Sequence, residues 1–215
     1  MAINELYRSG FYANDPDRYT DSFWERGNLG NPITFGTINA DDGQVLEYWN
    51  GAYRIITRVN SYLANMTKAA NNTPGQVYDR LQAEARFFRA YQYSNLITHF
   101  GDVPFITEPI DLSTSYSLPR TDKNKILEFI FSELDWASQN LPKTYGSGEL
   151  KRVAQGTALL IKARTALYTG KWAIAKSASE AIMKLAGEGV YQLHPNYEDL
   201  FKKSGQASKE IIFSI

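Results

Sequence analysis

His99 and Asp102 are the side chains whose types and spacing first suggest proton-transfer chemistry. They lie three residues apart in the stretch HFGDVPF, and a histidine beside a carboxylate can act as an acid–base pair. No serine or cysteine nucleophile motif accompanies them. We therefore interpret His99 as a helix-end residue whose imidazolium favours the last carbonyls, with Gly101 as the C-cap and Pro104 preventing the helix from continuing. The second histidine, His194, precedes a proline, and we interpret it as a packing or surface residue.

Composition excludes several other classes of function. The absence of cysteine excludes disulfides, zinc–thiolate sites and cysteine nucleophiles. Twenty-three basic residues balance 23 acidic ones, so the chain lacks the basic surplus that nucleic acid or an anionic membrane attracts. Walker, dinucleotide-binding and metalloprotease motifs are absent. The acids of Asp41-Asp42-Gly43 fit an N-cap better than a calcium loop, whose other ligands are missing. We predict no metal and no cofactor.

Helical periodicity accounts for most of the chain. Apolar residues recur at steps of three and four over five segments, which are residues 44–66, 77–100, 123–141, 153–168 and 172–185. The second is apolar around most of its circumference, which predicts a central, buried helix. Asp122 is the expected N-cap of the third. For the fifth, the spacing predicts an inward face made of Trp172, Ala175, Ser179, Ile182 and Leu185.

The connections between these segments predict the fold class. A three-residue turn at 169–171 permits only an antiparallel pair of helices, and small residues in ALYTGKWAIAKSASEAIMKL are typical of a degenerate tetratricopeptide repeat. We predict a mainly all-α fold of stacked helix pairs, with a long irregular N-terminal loop. We expect residues 1–215 to form one helical domain, divided into a loop at 9–43, five main helices over 44–187 and a closing loop at 188–215. The last residues, KEIIFSI, have the composition of a strand.

Charged residues near the start of the second helix allow two interpretations. Arg80 and Glu84 are four residues apart, so they can pair along one helix face. Alternatively, salt bridges from Glu84, Arg86 and Arg89 can tie this helix to its neighbours. Either structural role is preferred over a charged active site.

The loop at 9–43 is the remaining unusual feature. Ordered loops longer than about 15 residues are uncommon and usually functional, and this one contains several aromatic residues that a solvated linker does not need. Those aromatic side chains require a surface to cover.

Residues 80–110, RLQAEARFFRAYQYSNLITHFGDVPFITEPI, resemble the signature segment of the SusD/RagB family of outer-membrane nutrient-binding lipoproteins. In that family a helix of the form A-E-A-R-F-x-R-A-Y leads into F-G-D-V-P. The matches here are Ala83 to Phe87, Arg89 to Tyr91 and Phe100 to Pro104. Further similarity is seen at Ser132 to Asp135, in the run from ALLIKAR to EAI, and in EIIFSI. The chain resembles the N-terminal, helix-pair half of such a protein, without its lipidated cysteine and its second half.

The resemblance implies a non-enzymatic protein on the outer membrane surface of Bacteroidetes. Such proteins capture oligosaccharides, or in some branches peptides, and deliver them to a SusC-like TonB-dependent transporter. Membrane association would come only through a lipid anchor, which is absent from this chain. Sugar sites pair aromatic faces with polar side chains, and the loop supplies that mixture, which makes six residues candidate ligand contacts: Tyr19, Asp21, Phe23, Trp24, Arg26 and Asn28.

Three functions remain open at the level of sequence. The first is glycan capture by the loop, although its aromatics can instead pack onto the helices or face the transporter. The second is a helical-repeat scaffold that binds a peptide or protein on its concave face. The third is an enzyme, such as a glycoside hydrolase with two carboxylates, but nothing in the sequence positions such a pair.

Overall fold

The computed structural model describes residues 32–146 except 34, residue 149 and residues 152–213. Seven α-helices lie within these residues: α1 (Gly43–Met66), α2 (Gly75–Phe100), α3 (Leu112–Ser115), α4 (Lys123–Asn140), α5 (Gln155–Tyr168), α6 (Trp172–Gly187) and α7 (Tyr197–Leu200). Two 3₁₀ helices span Thr67–Asn72 and Lys203–Ala207. All five predicted long helices are confirmed, each with ends within two residues of the expected positions.

Local sequence signals set the helix ends. The Asp42 carboxylate accepts a hydrogen bond of 2.8 Å from the Gln44 amide, and Asp122 caps α4 in the same way. These bonds satisfy amide groups that have no partner within the first turn. At the other end of α2, Gly101 has a φ of 68° and its amide bonds to the Ile97 carbonyl at 3.2 Å. A side chain at this φ would be strained, so glycine is the residue that lets the chain leave α2 here.

Helix packing follows the order of the chain. Helix α2 lies between α1 and α4, and α5 lies between α4 and α6, so the mainly all-α class and the stacked helix pairs are confirmed. The core is continuous across these helices, and the α2 side chains Phe87, Tyr93 and Leu96 are almost entirely buried. Burial of this kind, rather than helix propensity, supplies most of the stability of such helices.

A short antiparallel pair of strands follows α2. Strand β1 (Val103–Pro104) pairs with β2 (Arg120–Thr121), so that Val103 lies opposite Thr121. Val103, the residue before Pro104, is therefore in an extended conformation and is fully buried. This pairing brings the start of α4 next to the end of α2.

The predicted inward face of α6 is partly wrong. Ala175 and Leu185 are buried, but Trp172 is 66% exposed and Ser179 is also exposed, whereas Ala178 is buried. The buried side of α6 includes Ala175, Ala178 and Leu185, with Ile182 half-buried, and Trp172 at the first position of the helix lies outside it. Periodicity therefore located the helix and three of the five expected inward residues, since Ile182 is half-buried, but it wrongly included Trp172 and Ser179.

The strand expected in KEIIFSI is not found between residues 209 and 213. A strand requires a neighbouring strand for its backbone hydrogen bonds, and no such partner lies beside it among the described residues. Phe213 is instead held by its side chain, whose ring centroid lies 6.4 Å from that of Phe87.

Ion pairs between helices and neighbouring segments settle the role of the α2 charges. Glu84 bonds to Arg152, with both carboxylate oxygens 2.8 Å from Nη2, and Arg80 lies 3.7 Å from Glu149. The i,i+4 interpretation of Arg80 and Glu84 is therefore replaced by the other one, in which α2 is tied to other parts of the fold.

Candidate functional site

The six residues that sequence analysis assigned to ligand binding lie outside the described residues. Tyr19, Asp21, Phe23, Trp24, Arg26 and Asn28 therefore stay a prediction. Phe35, an aromatic residue of the same loop that the structure does describe, is 56% exposed.

His99 and Asp102 do not form an acid–base pair. The Asp102 carboxylate accepts a 2.9 Å hydrogen bond from the backbone amide of Lys123, the first residue of α4. The backbone carbonyl of Asp102 accepts a second hydrogen bond, of 3.0 Å, from the Arg120 guanidinium. Nδ1 of His99 donates to the Asn95 carbonyl at 2.8 Å. The motif HFGDVPF thus ends one helix and helps to begin another.

A buried ionic cluster joins α1, α2 and α4. One Glu133 oxygen accepts hydrogen bonds from Arg86, and the other accepts bonds of 2.7 and 3.1 Å from Arg89. The Glu133 side chain is only 2% exposed. Arg89 also donates to the Asn60 side chain at 2.8 Å and to the Thr107 carbonyl at 2.9 Å. The carboxylate is therefore compensated by two guanidinium groups, as a buried charge requires.

The segment after β1 is held by side chains from the helices. Tyr93 both accepts a hydrogen bond from the Ile106 amide, at 2.7 Å, and donates to the Ile106 carbonyl, at 2.9 Å. Asn60 donates to the same carbonyl at 3.0 Å, and Tyr53 donates to the Pro104 carbonyl at 2.7 Å. Burial raises the pKa of both the Tyr53 and the Tyr93 phenol well above the ordinary value. Both hydroxyls therefore stay protonated and remain able to donate.

Salt bridges from Arg86 and Arg89 to neighbouring helices were among the expectations, but their partner Glu133 was not identified from the sequence, although a signal was present. Glu133 lies next to Leu134 on the apolar stripe of the third predicted helix, and Arg89 lies on the helix that was expected to be buried. Buried charges are almost always paired, so an acid and an arginine on two buried faces could have been matched.

Concave surfaces that could hold a ligand include two among the described residues. The first, of about 540 Å³, lies between the start of α2 and the loop after α4 and includes Asp79, Arg80 and Glu149. Its aromatic residue, Tyr145, has the guanidinium groups of Arg80 and Arg152 over its ring, 5.8 and 5.9 Å from the centroid. The ring is thus already occupied by cations of the protein itself.

The second surface, which we call the α2–α5 cleft, has a volume of about 600 Å³. Its walls carry aromatic, hydroxyl, amide and cationic side chains, among them Tyr91, Asn95, Thr98, His99, Arg164 and Tyr168. Such a mixture of ring faces and polar groups suits a small polar ligand better than a purely apolar one.

Two further properties bear on the class of protein. Among the described residues, no three histidine or acidic side chains are grouped so as to hold a metal ion. Over the same residues, every helix is too short or too polar to cross a bilayer.

Comparison with known proteins gives a consistent result. A SusD-like family model, described as "Starch-binding associating with outer membrane", matches residues 8–167. The chain is 26% identical to SusD-like protein P25 of Formosa agariphila over all of this chain and 40% of that protein. It also resembles the crystal structure of a SusD-like carbohydrate binding protein from Bacteroides fragilis, with a TM-score of 0.83 and 26% identity over 99% of this chain and 44% of the other.

A third comparison comes from a laminarin binding SusD-like protein, with a TM-score of 0.76 and 27% identity over 85% of this chain and 40% of that one. The chain spans about two fifths of the length of the curated relatives that it matches. The family description concerns binding, which agrees with the expectation of a non-catalytic role. A family model that matches residues 8–167, together with the shared helical fold, shows that this chain belongs to the SusD-like family.

Proposed function

We propose that this chain belongs to a cell-surface protein that captures oligosaccharides without converting them and delivers them to a SusC-like TonB-dependent transporter. The observation that carries the proposal is the family match over residues 8–167. A carbohydrate binding protein and a laminarin binding protein are among the similar structures, and they support a glycan as the ligand.

The ligand contacts that we propose remain Tyr19, Asp21, Phe23, Trp24, Arg26 and Asn28. Aromatic faces stack on the apolar faces of sugar rings, while carboxylate, amide and guanidinium groups bond to hydroxyls. The buried cluster around Arg89 and Glu133 supports this role indirectly, because it gives the helices a rigid core on which a binding loop can be mounted.

Location and domain organisation are further parts of the proposal. The family description associates its members with the outer membrane, and we propose that this protein is displayed there as a surface lipoprotein. We also keep the division into a loop at 9–43, a helical region at 44–187 and a closing segment at 188–215. Protease treatment of intact cells tests the location, since a surface-displayed protein is cleaved while a periplasmic one survives.

Calorimetric titration with neutral oligosaccharides tests the ligand and the loop. Laminarin oligosaccharides are a suitable first probe because a similar protein is described as binding laminarin. Replacing an aromatic binding residue commonly costs about 1.4 kcal/mol or more, which is tenfold in affinity. We therefore expect Trp24→Ala to weaken binding at least about tenfold.

Trp172→Ala is the matched control, because Trp172 is a 66% exposed tryptophan on α6, outside the loop. The affinity of the Trp172→Ala variant for the oligosaccharide should equal that of the unmodified chain. Equal affinity in the Trp24→Ala variant would contradict the loop assignment. Release of shorter sugars during the titration would contradict the non-enzymatic role, and failure of a glycan panel to bind at all would contradict glycan capture.

A further inference from the structure

The α2–α5 cleft exists because its two walls do not pack directly on each other. Helix α2 packs mainly against α1 and α4, while α5 packs mainly against α4 and α6, and contact between α2 and α5 is sparse. The groove between them is about 600 Å³, which is within the usual size of small-ligand sites.

Each wall of the cleft contributes a tyrosine. On α5, Tyr168 is 70% exposed, and none of the described aromatic rings packs on its ring. On α2, Tyr91 is half-buried and stacks on Phe87, with an interplanar angle of 6° and a centroid distance of 6.1 Å. This stacking fixes the orientation of the Tyr91 ring on its wall. Unlike Tyr145 in the other concave surface, neither tyrosine has a described guanidinium over its ring.

Polar groups on both walls remain available to a ligand. The side-chain amide of Asn95 on α2 and the guanidinium of Arg164 on α5 form no hydrogen bond or ion pair with another described residue, although the backbone carbonyl of Asn95 accepts a hydrogen bond from His99. A guanidinium presents several donors in one plane and binds carboxylates or sulfates through two parallel hydrogen bonds.

The charge of the lining selects the class of ligand. Arg164 is its one permanently charged residue, His99 is its other basic group, and the lining residues include no aspartate or glutamate. The first concave surface, by contrast, carries Asp79 and Glu149 as well as Arg80. A cationic lining without acids favours a ligand that carries negative charge.

We propose that the α2–α5 cleft is a binding site for acidic oligosaccharides, in which Arg164 binds the anionic group and the tyrosines contact sugar rings. This inference rests on the proposed function, glycan capture, and adds a second site and a charged ligand class to it. The anionic group can be a uronate carboxylate or a sulfate ester, because both fit the same guanidinium.

Calorimetry at about 0.15 M salt, where long-range charge effects are screened, tests the site. The probes are trigalacturonic acid for the carboxylate, a κ-carrageenan tetrasaccharide for the sulfate, and a laminarin oligosaccharide as the neutral reference. A hydrogen bond to a charged group changes affinity about tenfold or more. We therefore expect Arg164→Gln to lose at least about tenfold for an acidic probe and Tyr168→Ala to weaken it as well, while affinity for laminarin is unchanged.

Two matched controls lie outside the cleft. Arg54→Gln removes the same charge from an exposed position on α1, and Tyr116→Ala removes a tyrosine that is 83% exposed. Neither should alter the affinity for an acidic probe.

The outcomes separate this inference from the proposed function. Binding of laminarin without binding of either acidic probe would overturn the inference and leave glycan capture standing. Acidic probes that bind Arg164→Gln as tightly as the unmodified chain, or an equal loss in Arg54→Gln, would also overturn it. Absence of binding to a whole panel of neutral and acidic glycans would overturn both. The anionic group is identified by the acidic probe, carboxylate or sulfate, whose affinity falls in the Arg164→Gln variant.

Discussion

Replacing Glu133 by glutamine tests whether the buried ionic cluster holds the helices together. The substitution keeps the shape of the side chain but removes the negative charge that faces two guanidinium groups. Arg89 is left buried, with 9% of its side chain exposed, and without a compensating charge. The side-chain NH₂ group of the new glutamine must also face a guanidinium N–H, and because both groups are donors, no hydrogen bond can form between them.

The magnitude follows from the burial of the pair. Breaking a buried ion pair by removing one partner costs about 3–5 kcal/mol, and the geometry here supports a value in that range because both carboxylate oxygens are bonded. Since domains unfold with about 5–15 kcal/mol, the loss should be large. Denaturant unfolding followed by circular dichroism should show a clearly lower midpoint for Glu133→Gln, with an unchanged slope.

Glu188→Gln is the matched control, because Glu188 forms an exposed ion pair with Lys143. Such pairs contribute little in water, so its midpoint should not move measurably. A double variant, Glu133→Gln with Arg89→Met, should lose less free energy of unfolding than the sum of the two single losses, because the more deeply buried of the two unpaired guanidinium groups is gone and only Arg86, with 20% of its side chain exposed, remains. The reasoning is refuted if Glu133→Gln unfolds at the same midpoint as the control.

Two further predictions concern a close contact and a capping carboxylate. Gly156→Ala should destabilise the chain by about 1–3 kcal/mol, since a Cβ there overlaps the Tyr191 ring. Gly75→Ala is the control, because the space around Gly75 is open, and denaturant unfolding should show a lower midpoint for Gly156→Ala alone. Hydrogen bonds from Ser113 and the Thr114 amide lower the pKa of Asp111 to about 2. This pKa lies below the value of about 3.9 in the unfolded chain. The stability that the charged Asp111 carboxylate contributes is therefore complete above about pH 3.9 and is lost as the pH falls through about 2. A carboxyl NMR titration should show the low pKa in the unmodified chain and a higher one in Ser113→Ala, and an unchanged pKa would contradict the assignment.

The long helices could be read from the sequence because their signals are local. Apolar residues at steps of three and four located α1 and α2. Asp122 marked the start of α4, because its carboxylate accepts a hydrogen bond from the amide of Asn124, only two residues along the chain. Gly101 marked the end of α2 at Phe100 in the same way. Each of these features depends on residues within one or two helical turns.

Sequence patterns were less informative where the outcome depends on a distant partner. Two of the five residues expected on the inward face of α6 were wrong, since packing against the rest of the fold buries Ala178 and leaves Trp172 exposed. The expected strand is absent from residues 209–213 because strand formation requires a pairing edge, which amino-acid composition does not reveal. The candidate ligand residues of the N-terminal loop stay a prediction.

The sequence alone determined the helical class, the helix boundaries and the family resemblance, because periodicity, caps and a dense motif are encoded over short stretches. Only the tertiary structure decided what Asp102 and Glu133 do. Asp102 bonds to an amide 21 residues away, and Glu133 joins arginines 47 and 44 residues away. The motif that first suggested acid–base chemistry is a junction between two helices, because folding brings Lys123, rather than His99, to the Asp102 carboxylate.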